Sequence, residues 1–297
     1  MTDLVIRPLI AGEEHFFDKL IDPALPFFGS SYRELAARGE YRPEWTWIAL
    51  RDDVVVARAA WWAGQHDTEP MILDWFDFTD SDAAVELLRI AGTKGEYALK
   101  LPAGWRDDPA VFAAASARID AAVAGGYTPL VERYRYRWTP DCGLPERPGR
   151  LEFRPEPDND VILDVFRRLT EGSLDAHARR LVAESGVEAA AQDDLDFLLW
   201  MPGPREWWRL AYTPDGELVG LAVPGRNHND PVTGYIGVLP EHRGHGYAYD
   251  LLVEATHLLA AEGVDRIVAS TDVPNLPMAK AFAKAGYPIT EHRYDFV

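Results

Sequence analysis

The feature that most constrains the fold is an internal repeat. A glycine-tyrosine pair at Gly126–Tyr127 follows an alanine-rich stretch and opens GYTPLVERYRYRW, and a second pair at Gly286–Tyr287 opens GYPITEHRYDF. Apolar runs that begin at Trp45 and Trp207 each surround a charged turn, which is the pattern of a β-hairpin. LVIRPL near the start also matches LEFRPE in the second half. Because these features recur in the same order, we predict a duplicated domain.

Each half has the same predicted order of elements: a strand, a helical region, a hairpin, a strand, a helix, a strand, a helix and a closing strand. This order is typical of an α/β fold with a mixed sheet. The halves meet at TPDCGLPERPGR, where three prolines and two glycines indicate a linker. We therefore predict a first domain over residues 1–138, a linker over residues 139–150 and a second domain over residues 151–297.

Charge and cysteine content exclude several classes of function. The formal net charge of −18 opposes the binding of nucleic acid and favours cationic substrates such as amines, although acidity also serves solubility. The single cysteine, Cys142, excludes an internal disulfide, and no Cys or His residues have the spacing of a metal site. No signal-like or membrane-spanning stretch is found, so we predict a cytoplasmic protein that binds no membrane or metal, either a monomer or a homodimer.

The second half contains a strand-loop-helix segment that can bind phosphate. An apolar strand over residues 234–239 runs into PEHRGHGYA, and the helix that follows keeps apolar residues at helical spacing up to Gly263. Backbone amides at such a junction lack partners and the helix dipole adds positive charge, so an anion binds there. Gly244 and Gly246 let a phosphate approach the amides, and Arg243 adds a charge. Similar turns also occur without a ligand, so this motif alone leaves the function open.

Residues 207–296 resemble the GNAT acetyltransferase family. The family's loop, R-G-x-G-x-A, appears at residues 243–248 after an apolar strand and a Pro-Glu pair, and its helix from an asparagine to a Gly-aromatic pair appears from Asn275 to Tyr287. The resemblance implies two tandem GNAT-like (acyl-CoA N-acyltransferase) domains, each a mixed, mostly antiparallel sheet flanked by helices. It also implies an acyltransferase that uses acetyl-CoA.

The resemblance assigns the cofactor to one side of the second domain. The strand that ends at Val238 is expected to splay from the strand around Val268, and the pantetheine arm of CoA is expected to lie between them. The amide of Ile236 would then face the thioester oxygen and stabilise the charge that develops on it, which makes it a catalytic group. The residues implied in cofactor binding are Ile236, Val238, Arg243, Gly244, His245, Gly246, Tyr247, Ala248, Asn275 and Phe282.

The sequence defines the catalytic side chains less well. GNAT-like enzymes transfer the acyl group directly to an amine, and Cys142 fits this because it lies away from both motifs. The family's usual acid, a tyrosine, falls on Phe282, which has no proton to donate. Candidate bases are Asp230, His228 and Asp272. Each of them can equally belong to a polar turn, and a water chain is the alternative route for the proton.

The matching place in the first half reads ILDWFDFTDSDAAVELL, with Asp77, Asp80 and Asp82 where glycines and an arginine are needed. Three carboxylates repel pyrophosphate, so we predict a degenerate half that binds no cofactor and helps to wall the acceptor pocket. Its tryptophans either line that pocket or pack in the core, and they are Trp45, Trp47, Trp61, Trp62 and Trp75.

Together these features predict an N-acetyltransferase that moves an acetyl group from acetyl-CoA to the amine of a small molecule in a ternary complex. One alternative is an acyl-CoA-binding sensor or scaffold with reduced catalysis, and another is a protein N-acetyltransferase. Acceptor specificity is expected near residues 170–181, where Glu171, Asp175 and His177 either bind a cation or form a solvated helix face. The acceptor itself is not identified, because the loops that shape its pocket carry no motif.

Overall fold

The computed structural model describes residues 4–18, 20, 24–25, 32–92, 95–227 and 229–297. The chain divides into two compact units: unit 1 comprises residues 1–132 and 291–297, and unit 2 comprises residues 133–290. Each unit contains a mixed sheet whose strands are mostly antiparallel, with helices packed against it. The predicted α/β fold with two similar parts is therefore confirmed.

Unit 1 is built from elements of the first half and one strand from the end of the chain. Its strands are β1 (Leu4–Pro8), β2 (Thr46–Arg51), β3 (Val54–Trp62), β4 (Ile72–Phe78), β5 (Glu96–Pro102) and β12 (Ile289–Phe296). Its helices are α1 (Glu14–Phe17), α2 (Tyr32–Ala37), α3 (Ser81–Ala91) and α4 (Pro109–Gly125). The strands are ordered β1-β2-β3-β4-β5-β12, and only β4 and β5 run parallel among the described pairs.

Unit 2 is built from elements of the second half and one strand of the first half. Its strands are β6 (Pro129–Trp138), β7 (Glu152–Pro155), β8 (Arg209–Tyr212), β9 (Leu218–Arg226), β10 (Pro231–Val238) and β11 (Ile267–Asp272). Its helices are α5 (Asn159–Leu169), α6 (Ala176–Trp200), α7 (Tyr247–Ala261) and α8 (Leu276–Lys284). The strands are ordered β7-β8-β9-β10-β11-β6, and only β10 and β11 run parallel among the described pairs.

The recurring elements predicted from the sequence are confirmed in both units. The first hairpin joins β2 to β3 through Asp52 and Asp53, whose φ angles of 48° and 61° suit a tight turn between twisted strands. The second hairpin joins β8 to β9. The opening strands β1 and β7 pair with β2 and β8 in the two units. Of the first-half tryptophans, Trp45 and Trp61 are buried in the core of unit 1.

Each closing strand lies in the sheet of the unit that is built mainly from the other half of the chain. β6 pairs with β11 in unit 2, and β12 pairs with β5 in unit 1. The aromatic side chains on these strands account for the exchange. Tyr136 and Trp138 of β6 are buried in the core of unit 2, and Phe296 of β12 stacks on Tyr97 in unit 1 with ring centroids 5.2 Å apart.

The sheet of unit 2 separates two layers of helices. Alternate residues of a strand face opposite sides of a sheet, and β9 follows this rule. Leu221 packs with Phe166 and Leu195 of α5 and α6, whereas Ala222 packs with Leu251 of α7. α6 is kinked inside its range, where one glycine has non-helical dihedral angles. Helices α5 and α6 therefore cover one face of this sheet, and α7 covers the other.

β10 and β11 are parallel neighbours that separate almost at once. Within the described residues they have a single registered pair, Val232 with Val268. The register of β10 with β9 shifts just beyond that pair, which marks a bulge. Gly234 lies in the bulge with φ of +62°, and a Cβ there would come within 1.9 Å of the Val223 carbonyl oxygen, so only glycine fits. The splay implied by the resemblance is confirmed, and the space beyond the registered pair is called the gap below.

Among the helices of the described residues, none combines the length and the hydropathy that crossing a membrane needs. The same residues include no cluster of three or more His, Cys, Asp or Glu side chains that could hold a metal ion. Cys142 is a free thiol.

Candidate active site

Two backbone amides of β10 point into the gap. Leu239 donates its amide to the Val219 carbonyl at 2.8 Å, so Leu239 faces β9. The hydrogen-bonding direction alternates along an antiparallel strand, so Val238 and Ile236 turn their N–H groups away from β9 and toward β11. β11 has already separated there, and these groups are free to pair with an extended ligand.

The loop between β10 and α7 presents a group of unpaired amides. Gly244 and Gly246 have φ angles of +86° and +76°, which only glycine adopts without strain. Within the described part of the chain, the backbone N–H groups of residues 244–248 donate to no acceptor, and no side chain caps α7. A Cβ on Gly244 would meet nothing within 4 Å, so these amides face open space. We call these N–H groups the amide nest. At its edge the His245 ring stacks on Tyr247 at 5.7 Å.

The Arg243 guanidinium donates hydrogen bonds to four backbone carbonyls. Its Nε donates to the Val238 carbonyl at 3.1 Å, and its Nη2 donates to the Leu169 carbonyl at 3.2 Å. Its Nη1 donates to the carbonyls of Glu171 and Gly172 at 2.8 and 3.0 Å. The guanidinium therefore ties the loop to the end of α5 and to the segment before α6.

A second arginine, Arg150 in the linker, binds two backbone carbonyls of the same loop. Its Nη1 donates to the His245 carbonyl at 3.0 Å and its Nη2 to the Gly246 carbonyl at 3.3 Å. The guanidinium also forms a two-point ion pair with Asp250, whose side chain is only 2% exposed. Hydrogen bonding to Asp250 raises the pKa of Arg150 above its ordinary value, so the charge is permanent. The guanidinium lies 5.0 Å from the centre of the Tyr247 ring.

The rest of the linker is also fixed along α7. Tyr249 donates its hydroxyl to the Glu146 carbonyl at 3.1 Å, and Arg147 pairs with Glu254 at 3.1 Å. The segment read from its prolines and glycines as a spacer therefore forms specific contacts with the helix that begins at the nest.

Asn275 and Phe282 belong to α8, and both side chains already have contacts within unit 2. The Asn275 Oδ1 accepts from the amide of Met278 at 3.3 Å and caps α8, which leaves its Nδ2 for other contacts. Phe282 is 1% exposed and stacks on Tyr136 with centroids 4.1 Å apart. The Phe282 ring is therefore covered by the core of unit 2.

The Asp272 carboxylate lies at the end of β11 and already has two partners. Asp272 and Ile236 are both four residues beyond the registered pair at the start of the gap. The Asp272 Oδ2 accepts from the amide of Ala176 at 2.7 Å, and its Oδ1 pairs with Arg133 at 3.0 Å. Burial, with help from the nearby Asp175 carboxylate, raises the pKa of Asp272. These contacts join β11 to the start of α6, so the structure gives Asp272 a positioning role.

Asp230 and His228 belong to the turn before β10. The Asp230 carboxylate forms an ion pair with Arg266, and its amide donates to the Asn227 Oδ1 at 2.8 Å. Asp230 is six residues before Ile236, roughly 20 Å along an extended strand, so the structure does not bring the two together. His228 lies outside the described residues.

A carboxylate that the sequence analysis did not select lies on the α5–α6 face. Asp194 is half-buried on α6. Burial and the neighbouring carboxylates of Asp175 and Asp193 raise its pKa to about 7. Tyr235 of β10, whose ring packs edge-on against Phe166 at 4.9 Å, has its own pKa raised by burial and by Asp194. A group that changes charge near neutral pH therefore lies beside the strand that carries Ile236.

The equivalent place in unit 1 has the splay without the nest. β4 and β5 share only the registered pairs Ile72 with Glu96 and Leu73 with Tyr97 among the described residues. α3 then begins only three residues after β4 ends. The Asp80 side chain accepts from the amide of Ala83 in the first turn of α3, and in addition it pairs with an arginine on β2.

The predicted repulsion by three carboxylates in unit 1 needs a correction at Asp77. Its Oδ2 accepts from Arg58 at 2.8 Å, and its Oδ1 accepts from Arg118 at 2.7 Å. Both arginines are buried, with 4% side-chain exposure, so Asp77 is neutralised inside the unit. The loss of the amide nest in unit 1 therefore follows from the short connection and from the Asp80 cap.

Comparison with known proteins agrees with this geometry. Residues 176–287 match the model of the Acetyltransferase (GNAT) family. A GCN5-related N-acetyltransferase from Sphaerobacter thermophilus is 16% identical, with a TM-score of 0.51 over 99% of this chain and 94% of that chain. A GCN5-related glucosamine N-acetyltransferase region of a fungal multi-domain β-N-acetylglucosaminidase is 13% identical, with a TM-score of 0.56 over 100% of this chain and 38% of that chain.

A tandem GNAT protein from the clavulanic acid biosynthesis pathway is 16% identical, with a TM-score of 0.47 over 99% of this chain and 98% of that chain. No curated protein sequence is significantly similar to this chain. At such identities the structural matches show the fold alone. The family match adds residues 176–287, which include the nest, the gap and α8. Residues 176–287 therefore match a GNAT acetyltransferase domain, which indicates an acyltransferase, and the fold of the whole chain has two GNAT-like parts.

Proposed function

We propose that unit 2 binds acetyl-CoA and transfers its acetyl group to the amine of a small molecule. The observation that carries this proposal is the amide nest, which stands open at the start of α7 next to the unpaired amides of β10. We propose that the reaction takes place in the cytoplasm and that the chain acts as a monomer or a homodimer. Unit 1 is proposed to bind no cofactor.

The residues present fit CoA without help from a basic side chain. The nest offers the N–H groups of residues 244–248 and the positive end of the α7 dipole to a pyrophosphate. The net charge of −18 is spread over the whole chain and is screened beyond about 10 Å at 0.1 M salt, so local amides dominate at the loop. Ile236 and Val238 offer N–H groups to an extended arm in the manner of an edge strand.

When bound, acetyl-CoA supplies an activated acyl group as a thioester. Ile236 would orient its amide toward the thioester oxygen and stabilise the negative charge that develops on it. Val238 and Asn275 would hold the arm from the two sides of the gap. No cysteine is required, because the acceptor amine attacks the thioester carbon directly.

The amine is proposed to enter from the α5–α6 face, where acidic groups collect. Asp175 and Asp194 favour the approach of a cation. Asp194 is proposed as the base, because a carboxylate with a pKa about 7 can take a proton from an ammonium and release it to water near neutral pH. This role replaces those of Asp230 and Asp272, whose carboxylates are already paired.

The proposal is tested by calorimetry with CoA and by thiol release from acetyl-CoA. Calorimetry should give one CoA per chain. Thiol release should be stimulated by a panel of small amines that includes amino-sugars, polyamines and aminoglycoside-type compounds, and not by peptides. Asp194→Asn should lower turnover by roughly hundredfold, whereas Asp196→Asn should leave it within about twofold, because Asp196 is exposed on the same helix and is not one of the carboxylates that raise the pKa of Asp194. CoA binding without any amine-dependent thiol release would favour a sensor instead.

A further inference from the structure

We propose that Arg150 of the linker is a positioning residue that turns the amide nest toward the pyrophosphate of CoA. The inference rests on the proposed function, because it specifies how the same cofactor site is held in shape. Arg150 would touch no part of the cofactor and would act through the carbonyls of His245 and Gly246.

The geometry of the peptide bond makes this coupling direct. In a trans peptide, the carbonyl of one residue and the N–H of the next point in opposite directions, and none of the described peptides is cis. By holding the His245 carbonyl, Arg150 directs the N–H of Gly246 away from itself. By holding the Gly246 carbonyl, it directs the N–H of Tyr247 the same way. Both N–H groups belong to the nest, so the two hydrogen bonds fix the direction of two of its five N–H groups.

Arg150 is itself held firmly enough to act as a support. Its guanidinium is anchored by two contacts to the buried Asp250, which is on the first turn of α7. The Tyr247 ring lies under the same guanidinium at 5.0 Å. The helix, the linker and the loop are thus joined through a single planar group, whose fork of donors suits a carboxylate and two carbonyls at once.

Arg150 acts by orienting the N–H groups of the nest and not by adding positive charge. The Asp250 carboxylate neutralises Arg150 at short range, so the pair adds little net field at the pyrophosphate. Arg150→Lys keeps the charge but replaces the fork by a single ammonium, so it should still weaken CoA binding. If Arg150 acted only through its charge, Arg150→Lys would instead keep the CoA affinity of the wild type.

The test uses a double variant, because removing Arg150 alone leaves a buried carboxylate without a partner. Arg150→Met with Asp250→Asn should weaken CoA binding by roughly tenfold to hundredfold in calorimetry. A cleft of about 180 Å³ alongside Arg150 leaves room for the altered side chain. The matched control is Arg147→Met with Glu254→Gln, which removes the neighbouring ion pair between the same linker and helix. The control should bind CoA within about twofold of the wild type.

Acetyl-pantetheine separates positioning from general damage, because it lacks the pyrophosphate. The double variant should keep kcat/KM for acetyl-pantetheine while losing it for acetyl-CoA. CoA binding equal to the wild type, or an equal loss with both donors in a folded variant, would overturn the inference alone. A wild-type protein that binds no CoA would refute the proposed function, and with it this role for Arg150. Circular dichroism and Tm of both double variants establish that they are folded.

Discussion

The start of α3 in unit 1 and the start of α7 in unit 2 occupy the same place in the repeated fold, yet they differ in what they offer a ligand. At α3, the Asp80 side chain accepts from the amide of Ala83 at 3.0 Å and satisfies the helix end from within. At α7, Gly246 has no side chain to do so, and the amides of the loop stay open. The same helix terminus is thus capped by a side chain in one unit and uncapped in the other.

The difference teaches that the connection, and not the sheet, decides where the cofactor can bind. Both units keep a splayed pair of parallel strands. In unit 1 the chain passes from β4 to α3 through residues 79 and 80 alone, which is too short to wrap an anion. In unit 2 residues 239–246 form a loop long enough to be held by Arg150 and Arg243 while its amides face outward. A ligand site therefore needs both an open helix end and a supported loop.

The largest expected effect comes from dividing the chain between residues 138 and 139, which removes β6 from unit 2. A fragment of residues 139–297 lacks β6, so its β11 loses a partner strand and its core loses Tyr136 and Trp138. We expect this fragment to be unfolded or aggregated and to bind no CoA. A fragment of residues 133–290 matches unit 2 and should fold and bind CoA. Circular dichroism and calorimetry on both fragments decide the matter, and CoA binding by the first fragment would contradict the exchange of strands.

The second-largest effect is expected when Gly246 is replaced by aspartate, the residue that caps the equivalent helix of unit 1. Gly246→Asp adds a negative charge and strains a residue with φ of +76°, so CoA affinity should fall by at least roughly hundredfold. Gly263→Asp is the matched control, because Gly263 is an exposed glycine with φ of +71° near the other end of α7. The control should keep wild-type affinity by calorimetry. Equal affinity in both variants would place the cofactor elsewhere.

The sequence was sufficient for the fold wherever local patterns decide the structure. Periodicity located the hairpins, the helix after the loop and the closing strands, and the family motif located the nest. The partner of each closing strand could not be read in this way, because both closing segments follow a Gly-Tyr pair and carry aromatic residues between charged ones. Which sheet each strand joins is decided by long-range packing of residues such as Tyr136 and Phe296.

The sequence predicted which backbone segments form the candidate site, but it did not predict the hydrogen bonds of the side chains there. Arg243 and Asp272 were selected by position, but their hydrogen bonds to distant carbonyls and amides are set by tertiary structure. Arg150 carries no motif, and its partner Asp250 is a hundred positions away in the sequence. Asp194 is one of several acids on a helix, and only burial near other carboxylates distinguishes it.

Phe282 allows a test of moderate size that compares the two cores. Its counterpart counted from the Gly-Tyr pair in the first half is Ala122, so the stack on Tyr136 is peculiar to unit 2. Phe282→Leu should lower the free energy of unfolding by about 1 to 3 kcal/mol because a buried ring is lost, with turnover little changed. Chemical denaturation measures the change. A large fall in turnover at unchanged stability would show that the ring acts in catalysis after all.

The smallest expected effect concerns two carboxylates, one in each unit, that titrate within the neutral range. Burial raises the pKa of Asp194 to about 7 and that of Asp74 in unit 1 to about 6. A raised pKa means that the folded state keeps a proton that the unfolded state has released. The stabilising contribution is therefore complete below pH 4 and is lost as pH rises to about 7 for Asp194 and to about 6 for Asp74.

Replacing either carboxylate by asparagine should remove the fall in stability over the pH range in which that carboxylate titrates. The limit is about 1.4 kcal/mol per pH unit for a group that titrates in one state only, and the half-buried Asp194 stays well below it because water still reaches the carboxylate. Thermal unfolding of Asp194→Asn and Asp74→Asn from pH 4 to 8 measures both slopes. If Asp194 is the base and Asp74 is only structural, the two variants alter stability in the same direction, but only Asp194→Asn alters the pH profile of turnover. Loss of that profile in Asp74→Asn would mean that the degenerate unit also takes part in the reaction.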